Sequence, residues 1–402
     1  MIRLSPLRAA AAALVLAFGA TCALAADTVR PEVGNPLKAA QALVKSGKGR
    51  EALAKVSEAD AVPNKTSYES FLIQQMRGSA ALAAGDNEAA IKSFEGVLAS
   101  GRVSGREALQ MQEAIAVGYY KMKDYPKAAQ ASAKYFKDGG TDPAVRTVQL
   151  QSYYLGNDCA AVSRMLGGEE GGGSHRATEE ELQILRTCYS REKDDGGYVA
   201  ATERLLQSYP KKEYWTELLA RVQRKPGFSD RLGVHVYKLR SATGNFGSAN
   251  DYMELAQLAM QDGVPAEAKV ILDRGYSAGV LGKGSEAARQ KRLTDLVDKT
   301  LADSKKVRAQ EEKDAQAAKA GDDLVRIGLE YVYEGQADKG LALIEQGIKK
   351  GGLKRPEDAK LRLGEAQLYA GKKNAAVATL KSVKGTDGTA DLARLWVLQA
   401  RT

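Results

Sequence analysis

The chain has 402 residues, but only three cysteines, two histidines and two tryptophans. One histidine, His175, lies in a glycine-rich stretch. The other, His235, sits beside Val234, Val236 and Leu239 in a helical pattern that suits a partly buried structural residue. No His pair at i, i+4, no C-x-x-C and no G-x-S-x-G occurs, so the common zinc sites and the serine nucleophile elbow have no support. The 50 acidic residues offer many carboxylate pairs, yet nothing in the pattern gathers them into a cleft. Long apolar runs are also missing. The longest, Ala9 to Phe18, falls short of the roughly 20 residues that a membrane span requires. These absences predict a protein with no catalytic residue, no metal and no cofactor, and no transmembrane segment in the mature chain.

That apolar run follows Arg3 and Arg8 and precedes Ala23-Leu24-Ala25, the pattern of a secretory signal peptide over residues 1–25 cleaved near Ala25. Adjacent arginines are missing, which argues against twin-arginine export and for export of an unfolded chain. Gly19 and Thr21 stand where acylation of Cys22 would want a leucine-like and a small residue, so a lipoprotein is disfavoured. Removing two arginines from 59 basic residues leaves 57 against 50 acidic ones, a net charge of +7. In an exported protein this mild excess excludes nucleic acid as a natural partner. It suits solubility, anionic head groups, cell-wall polymers or acidic protein segments. The doublets Lys211-Lys212, Lys305-Lys306, Lys349-Lys350 and Lys372-Lys373 are dispersed and read as solvated corners. Cys159 and Cys188 remain after processing, as a candidate disulfide or as two buried thiols.

What the chain does have is a period. Gly47, Gly85, Gly156, Gly227, Gly263, Gly335 and Gly371 are separated by whole multiples of about 35–38 residues. Glycine takes the left-handed conformation without a Cβ penalty, so each marks the turn between two antiparallel helices. A small residue recurs seven before the turn and another five after it, with a bulky apolar residue nine after. Gly78, Ala90 and Phe94 around Gly85 show this, as do Gly328, Gly340 and Ile344 around Gly335 and Gly364, Ala376 and Leu380 around Gly371. Small residues let two helix backbones approach, and the bulky ones fill the grooves left over.

At these residues the chain resembles the tetratricopeptide-repeat family, whose unit reads W-x2-L-G-x2-Y, then A-x3-F, then P. The stretch from Ala116 to Ala129 is a close match, with Tyr119 at the tyrosine place and Ala128 at the crossing alanine. The stretch from Tyr252 to Leu272 is another, with Leu255-Ala256 at the Leu-Gly pair. The resemblance runs from about Pro36 to Val383 and implies an all-α solenoid of helical hairpins. The central units depart from it: Lys123 replaces a turn glycine, Ser132 replaces a bulky residue, and Leu232 stands where an alanine is expected.

Two interruptions divide the chain. Gly167 to Glu180 is a glycine-rich connection that ends in a Thr178 helix cap with Glu181 three residues on. Ser285 to Ala320 is charged, alanine-rich and free of glycine and proline, and predicts one long helix acting as a solvated strut. The expected organisation is an array of about seven helix pairs over 33–282, central ones degenerate. A linking helix over 283–320 follows, then two further repeats over 321–402 with a capping helix at Ala390–Ala400.

The resemblance further implies that the first helix of each hairpin lines a concave surface. Transferring the family's inner-face places gives Tyr120, Lys121, Arg146, Tyr153, Tyr154, Arg191, Arg221 and Arg224. Tyrosine offers rigid contact area and arginine bidentate carboxylate bonds, which suits a peptide or an acidic segment. The Lys and Asn clamp of chaperone-binding family members is not found. The function so implied is a non-catalytic periplasmic scaffold of a Gram-negative envelope. It would bind a protein or peptide partner in its groove, in envelope assembly or transport. The alternative is an accessory module for cell-wall or exopolysaccharide synthesis or export that binds the anionic polymer directly.

Overall fold

The computed structural model describes residues 28–167 and 176–401. The expected signal peptide with Cys22, and His175, lie outside the described residues. Among those residues every regular element is helical, and the chain divides between Asp194 and Asp195 into two compact units.

The first unit contains α1 (Pro31–Lys45), α2 (Gly49–Asp60), α3 (Ser67–Ala84), α4 (Asn87–Ala99), α5 (Gly105–Lys121), α6 (Tyr125–Lys137), α7 (Pro143–Leu155), α8 (Cys159–Gly167) and α9 (Glu179–Arg191). Helices α1 to α8 pair in sequence as antiparallel hairpins, and each hairpin packs on the next. First helices also meet first helices, α1 with α3, α5 with α7 and α7 with α9, so theirs is the tighter, inner side of a tetratricopeptide-like solenoid.

The phased residues do their expected work. Gly47 and Gly85 adopt φ of 75° and 79°. A Cβ on Gly78 would stand 2.5 Å from the Phe94 ring, which is fully buried. The small residue seven before the turn is therefore the seat of the bulky residue nine after it. Lys123 holds the left-handed turn that glycine holds elsewhere, at φ 63°. One position differs from the sequence reading: Gly156 has φ −77°, and Asn157 takes the left-handed place at 62°. Asparagine tolerates that region better than most residues. The register of α7 thereby advances by one residue, about 100° around the helix.

Cys159 and Cys188 form a disulfide, with Cα atoms 5.1 Å apart. It ties α8 to α9 across the glycine-rich connection. Thr178 caps α9 in a full capping box with Glu181, as its spacing predicts.

The second unit contains α10 (Asp195–Ser208), α11 (Lys212–Arg224), a short 3-10 turn (Asp230–Leu232), α12 (Gly233–Ala242), α13 (Ala249–Gln261), α14 (Pro265–Ser277), α15 (Ala287–Ala317), α16 (Asp322–Tyr333), α17 (Ala337–Lys350), α18 (Pro356–Tyr369), α19 (Lys373–Lys381) and α20 (Thr389–Gln399). The pair α16–α17 crosses most closely, because Gly328 and Gly340 leave no room for a Cβ between their backbones. Helix α20 packs on α18 and α19 and closes the last hairpin.

Two features of this unit differ from the sequence reading. The long helix α15 is no solvated strut. Leu293 and Val297 join the core of α13 and α14, and Ala315 joins that of α16 and α17. Its buried stripe continues through Arg308, which is 5% exposed, so a charge interrupts the apolar periodicity that would have marked the face. The division of the chain also lies elsewhere. It falls inside the array expected over 33–282, because α12 packs on α20 and α15 on both α14 and α16, drawing all that follows Asp195 into one body.

Candidate binding surfaces

In the first unit the inner helices carry several of the residues singled out by sequence. Tyr120 on α5 donates from its hydroxyl to Gln151 Oε1 on α7 at 2.7 Å and meets Tyr125 edge to face. Burial pushes its phenol upward, aided by Tyr125 and Glu180. Tyr154 carries the Arg191 guanidinium over its ring at 4.4 Å, while Arg191 Nη1 donates to the Tyr154 carbonyl at 3.3 Å and to Asn157 Oδ1 at 3.4 Å. Tyr120 and Tyr154 are half-buried, and Lys121 and Arg191 exposed. Together they form a rigid aromatic and cationic strip along α5, α7 and α9. Glu113, on the same helix as Tyr120, is pushed up by burial and by Asp142.

The other named residues do not join that strip. Arg146 lies 3.8 Å from Glu181, and Tyr153 accepts a hydrogen bond from Gln149 on its own helix at 3.3 Å. The one-residue shift at Asn157 explains why Tyr154, and not Tyr153, keeps an inner place. In the second unit, Arg221 stacks over the Tyr198 ring at 3.9 Å and is paired with Asp195. Arg224 is exposed near the end of α11. Most of these arginines already serve neighbouring acceptors, so the surface is less ready for an acidic peptide than the sequence implied.

The inner helices of the C-terminal hairpins, α16 and α18, present a different face, one that sequence reasoning missed. Along α18, Asp358, Arg362 and Glu365 recur at helical spacing. Arg231 forks onto Asp358 at 2.9 and 2.8 Å and reaches Asp387 at 2.6 Å. Arg362 meets Asp262 at 2.6 Å. Glu365, 5% exposed, accepts from Trp396 Nε1 at 2.9 Å, contacts His235 Nδ1 at 2.7 Å and lies 3.4 Å from Lys238 Nζ. Lys238 also pairs with Glu267 at 2.7 Å, and Tyr333 donates to the same carboxylate.

Along α16, Glu330 is fully buried, held by Arg308 at 2.9 Å and by the Ala266 amide at 3.4 Å. Burial outweighs the pull of Arg308 and pushes its carboxyl up to about 7. Glu365 goes the other way. Despite its burial, His235 and Lys238 hold it at about 2. The face that an array would offer a ligand is here filled by the chain's own turn at 230, α12, α14 and α15. A polar residue every three to four positions on α18 was the available signal. The partners, up to 130 residues away, had none.

Among the described residues no group of three or more His, Cys, Asp or Glu is placed to hold a metal ion, and no helix is long and apolar enough to cross a membrane.

No family model matches the chain, and no curated protein does. Among solved structures, that of Naa15/Naa10 bound to HypK-THB is similar over 90% of this chain and 59% of the other, at 16% identity and a TM-score of 0.32. This chain thus spans less than two thirds of that one. The crystal structure of yeast Tom70 is similar over 92% of this chain and 95% of the other, at 10% identity and a TM-score of 0.26. Scores this low carry no argument, so the fold class rests on the helices described above.

Proposed function

We propose that the protein is a non-catalytic scaffold, exported to the periplasm, that holds a segment of a protein partner on the inner face of its first unit during envelope assembly or transport. The observation that carries this reading is the contrast between two inner faces. On α5, α7 and α9 the aromatic and cationic side chains remain at least partly exposed, whereas on α16 and α18 the corresponding surface is internally occupied. Rigid, half-exposed tyrosines with an arginine stacked on one of them supply contact area at small entropic cost, the character of a binding surface. The Cys159–Cys188 disulfide supports an oxidising compartment, and the residue pattern before Ala26 supports export into one.

A photo-reactive phenylalanine at position 120 or 154 in the growing cell tests the proposal. One envelope protein captured from both positions, and not from Lys349 as control, is the expected result. Capture of no protein, with glycan co-purifying instead, would replace it by the polymer-binding alternative. Processing is tested separately, by the mass of the protein recovered from the periplasm, which should begin at Ala26.

A further inference from the structure

We propose that the outer groove between α4 and α6, floored by α5, docks an amphipathic helix of a partner protein that carries a row of acidic side chains. The groove lies entirely within the first unit, on the side of the second helices, and does not depend on the inner-face reading. Its cause is in the sequence. Helix α6 runs YPKAAQASAKYFK, and Ala131 and Ala133 are among the positions with which it lines the groove. With alanine at 131 and 133, α6 presents too little side chain to fill the space beside α4. A groove of about 940 Å³ remains.

Its lining is apolar between the walls. Leu98, Val103 and Ala131 are partly buried residues packed on the α3–α5 core, and Ile115 of α5 lies on the floor. Two walls of 13-residue helices, about 20 Å long each, fit an occupant that is itself a short helix.

The rim gives the charge of that occupant. Lys127, Lys134 and Lys137 all line the groove, spaced by seven and three residues on α6, and so form one ridge about 15 Å long. The acids that line the groove are already engaged: Glu95 accepts from the Tyr119 hydroxyl at 2.8 Å, and Asp138 accepts from Gln112 Nε2 at 2.6 Å. Two of the lysines pair along their own helix, Lys127 with Asp124 and Lys134 with Asp138, but these exposed pairs are weak and exchange readily for a partner's carboxylate.

A second observation is independent of charge. Gln112 lines the groove at 6% exposure, its amide oriented by Asp138, and its Oε1 has no hydrogen-bond partner. A polar side chain so held at the edge of an apolar floor gives the groove a fixed polar mark beside its lysines.

The test uses the full chain and a designed, fluorescein-labelled helical peptide with leucines on one face and glutamates spaced to match the lysine ridge. A charge-reversed lysine peptide and poly-glutamate serve as controls. Saturable binding of the glutamate peptide is expected in fluorescence anisotropy, with the lysine peptide weaker by roughly tenfold or more. Hydrogen exchange should slow in α4 and α6. Ala131→Leu, which fills the groove, should remove binding. The double variant Lys134→Glu/Lys137→Glu, at exposed positions that leave the fold intact, should weaken the glutamate peptide and strengthen the lysine one. No saturable binding, equal affinity for both peptides, protection confined to other helices, indifference to the lysine substitutions, or poly-glutamate competing as well as the peptide would each overturn the proposal.

Discussion

The inner faces of the two units are built from the same kind of helix yet have opposite fates. In the first unit, Tyr120, Tyr154 and Arg191 contact only their own or neighbouring hairpins, and the solenoid is a run of local contacts. In the second, Glu365 reaches residues 130 positions earlier and 31 later. The same repeat chemistry thus gives an offered surface in one place and a buried ionic core in the other. The difference is made by a few polar residues on α16 and α18 whose partners come from far along the chain.

The sharpest way to break this contrast is Glu365→Ala. It leaves Lys238, His235 and the Trp396 N–H buried with one partner fewer, and removing one member of a buried ion pair costs about 3–5 kcal/mol. Both tryptophans, Trp215 and Trp396, are buried in the second unit, so emission in a urea titration reports that unit alone. The midpoint should fall, while helix lost from the first unit, followed by circular dichroism, should not shift. A common shift would show that the units do not unfold independently.

Cys159→Ser acts on the other side of the comparison. The bridge closes a loop with a sequence separation of 29, and opening it should destabilise the first unit by about 3–4 kcal/mol without moving the tryptophan transition. Thiol labelling of the unreduced protein should find Cys159 and Cys188 protected.

Acid should weaken the second unit through the Glu365 carboxylate, as it should the first through Glu69, which Arg30 and the Thr66 amide also hold at about 2. Glu365 is held at about 2 in the fold against an ordinary 4.5, so the unfolded chain binds its proton first. The stability this carboxylate contributes is complete above about pH 4.5 and is lost as pH falls toward 2. Tryptophan emission should shift to the red in that window, and Glu365→Gln should lose the slope.

Gly78→Val tests the hairpin crossing. The new side chain meets Phe94, and overpacking of this kind costs about 1–3 kcal/mol, partly recovered by Phe94→Leu. The smallest effect is expected at Lys123, where glycine relieves a left-handed φ of 63° and should raise stability by a few tenths to about 1 kcal/mol.

The same distinction between local and distant contacts explains what was legible beforehand. Hairpins could be read because turn, small residue and bulky residue lie within about twenty positions of one another. Gly78 and Phe94, or Gly364 and Leu380, meet as their spacing predicts. The turn at Asn157 was misplaced by one residue, since glycine next to asparagine gives two candidates for one left-handed place. The inner face of the first unit was legible in part. The places of Tyr120, Tyr154 and Arg191 follow from register, but the ion pair of Arg146 with Glu181 does not, nor, in the second unit, that of Arg221 with Asp195. The boundary at Asp194 and the ionic core of the second unit were not legible, because they depend on pairings such as Arg231 with Asp358 and Asp387 that no local pattern announces.

The position of Trp396 near the far end of α20 has a consequence for the order in which the protein is made. Hairpins of the first unit hold every contact they need soon after they emerge, and can form one at a time behind the moving chain. Glu365, His235 and Lys238 cannot complete their arrangement until α20 has followed them. As the chain emerges amino-terminal end first, His235 and Lys238 stay in water while more than a hundred further residues follow, and are sealed from it only with the last helix.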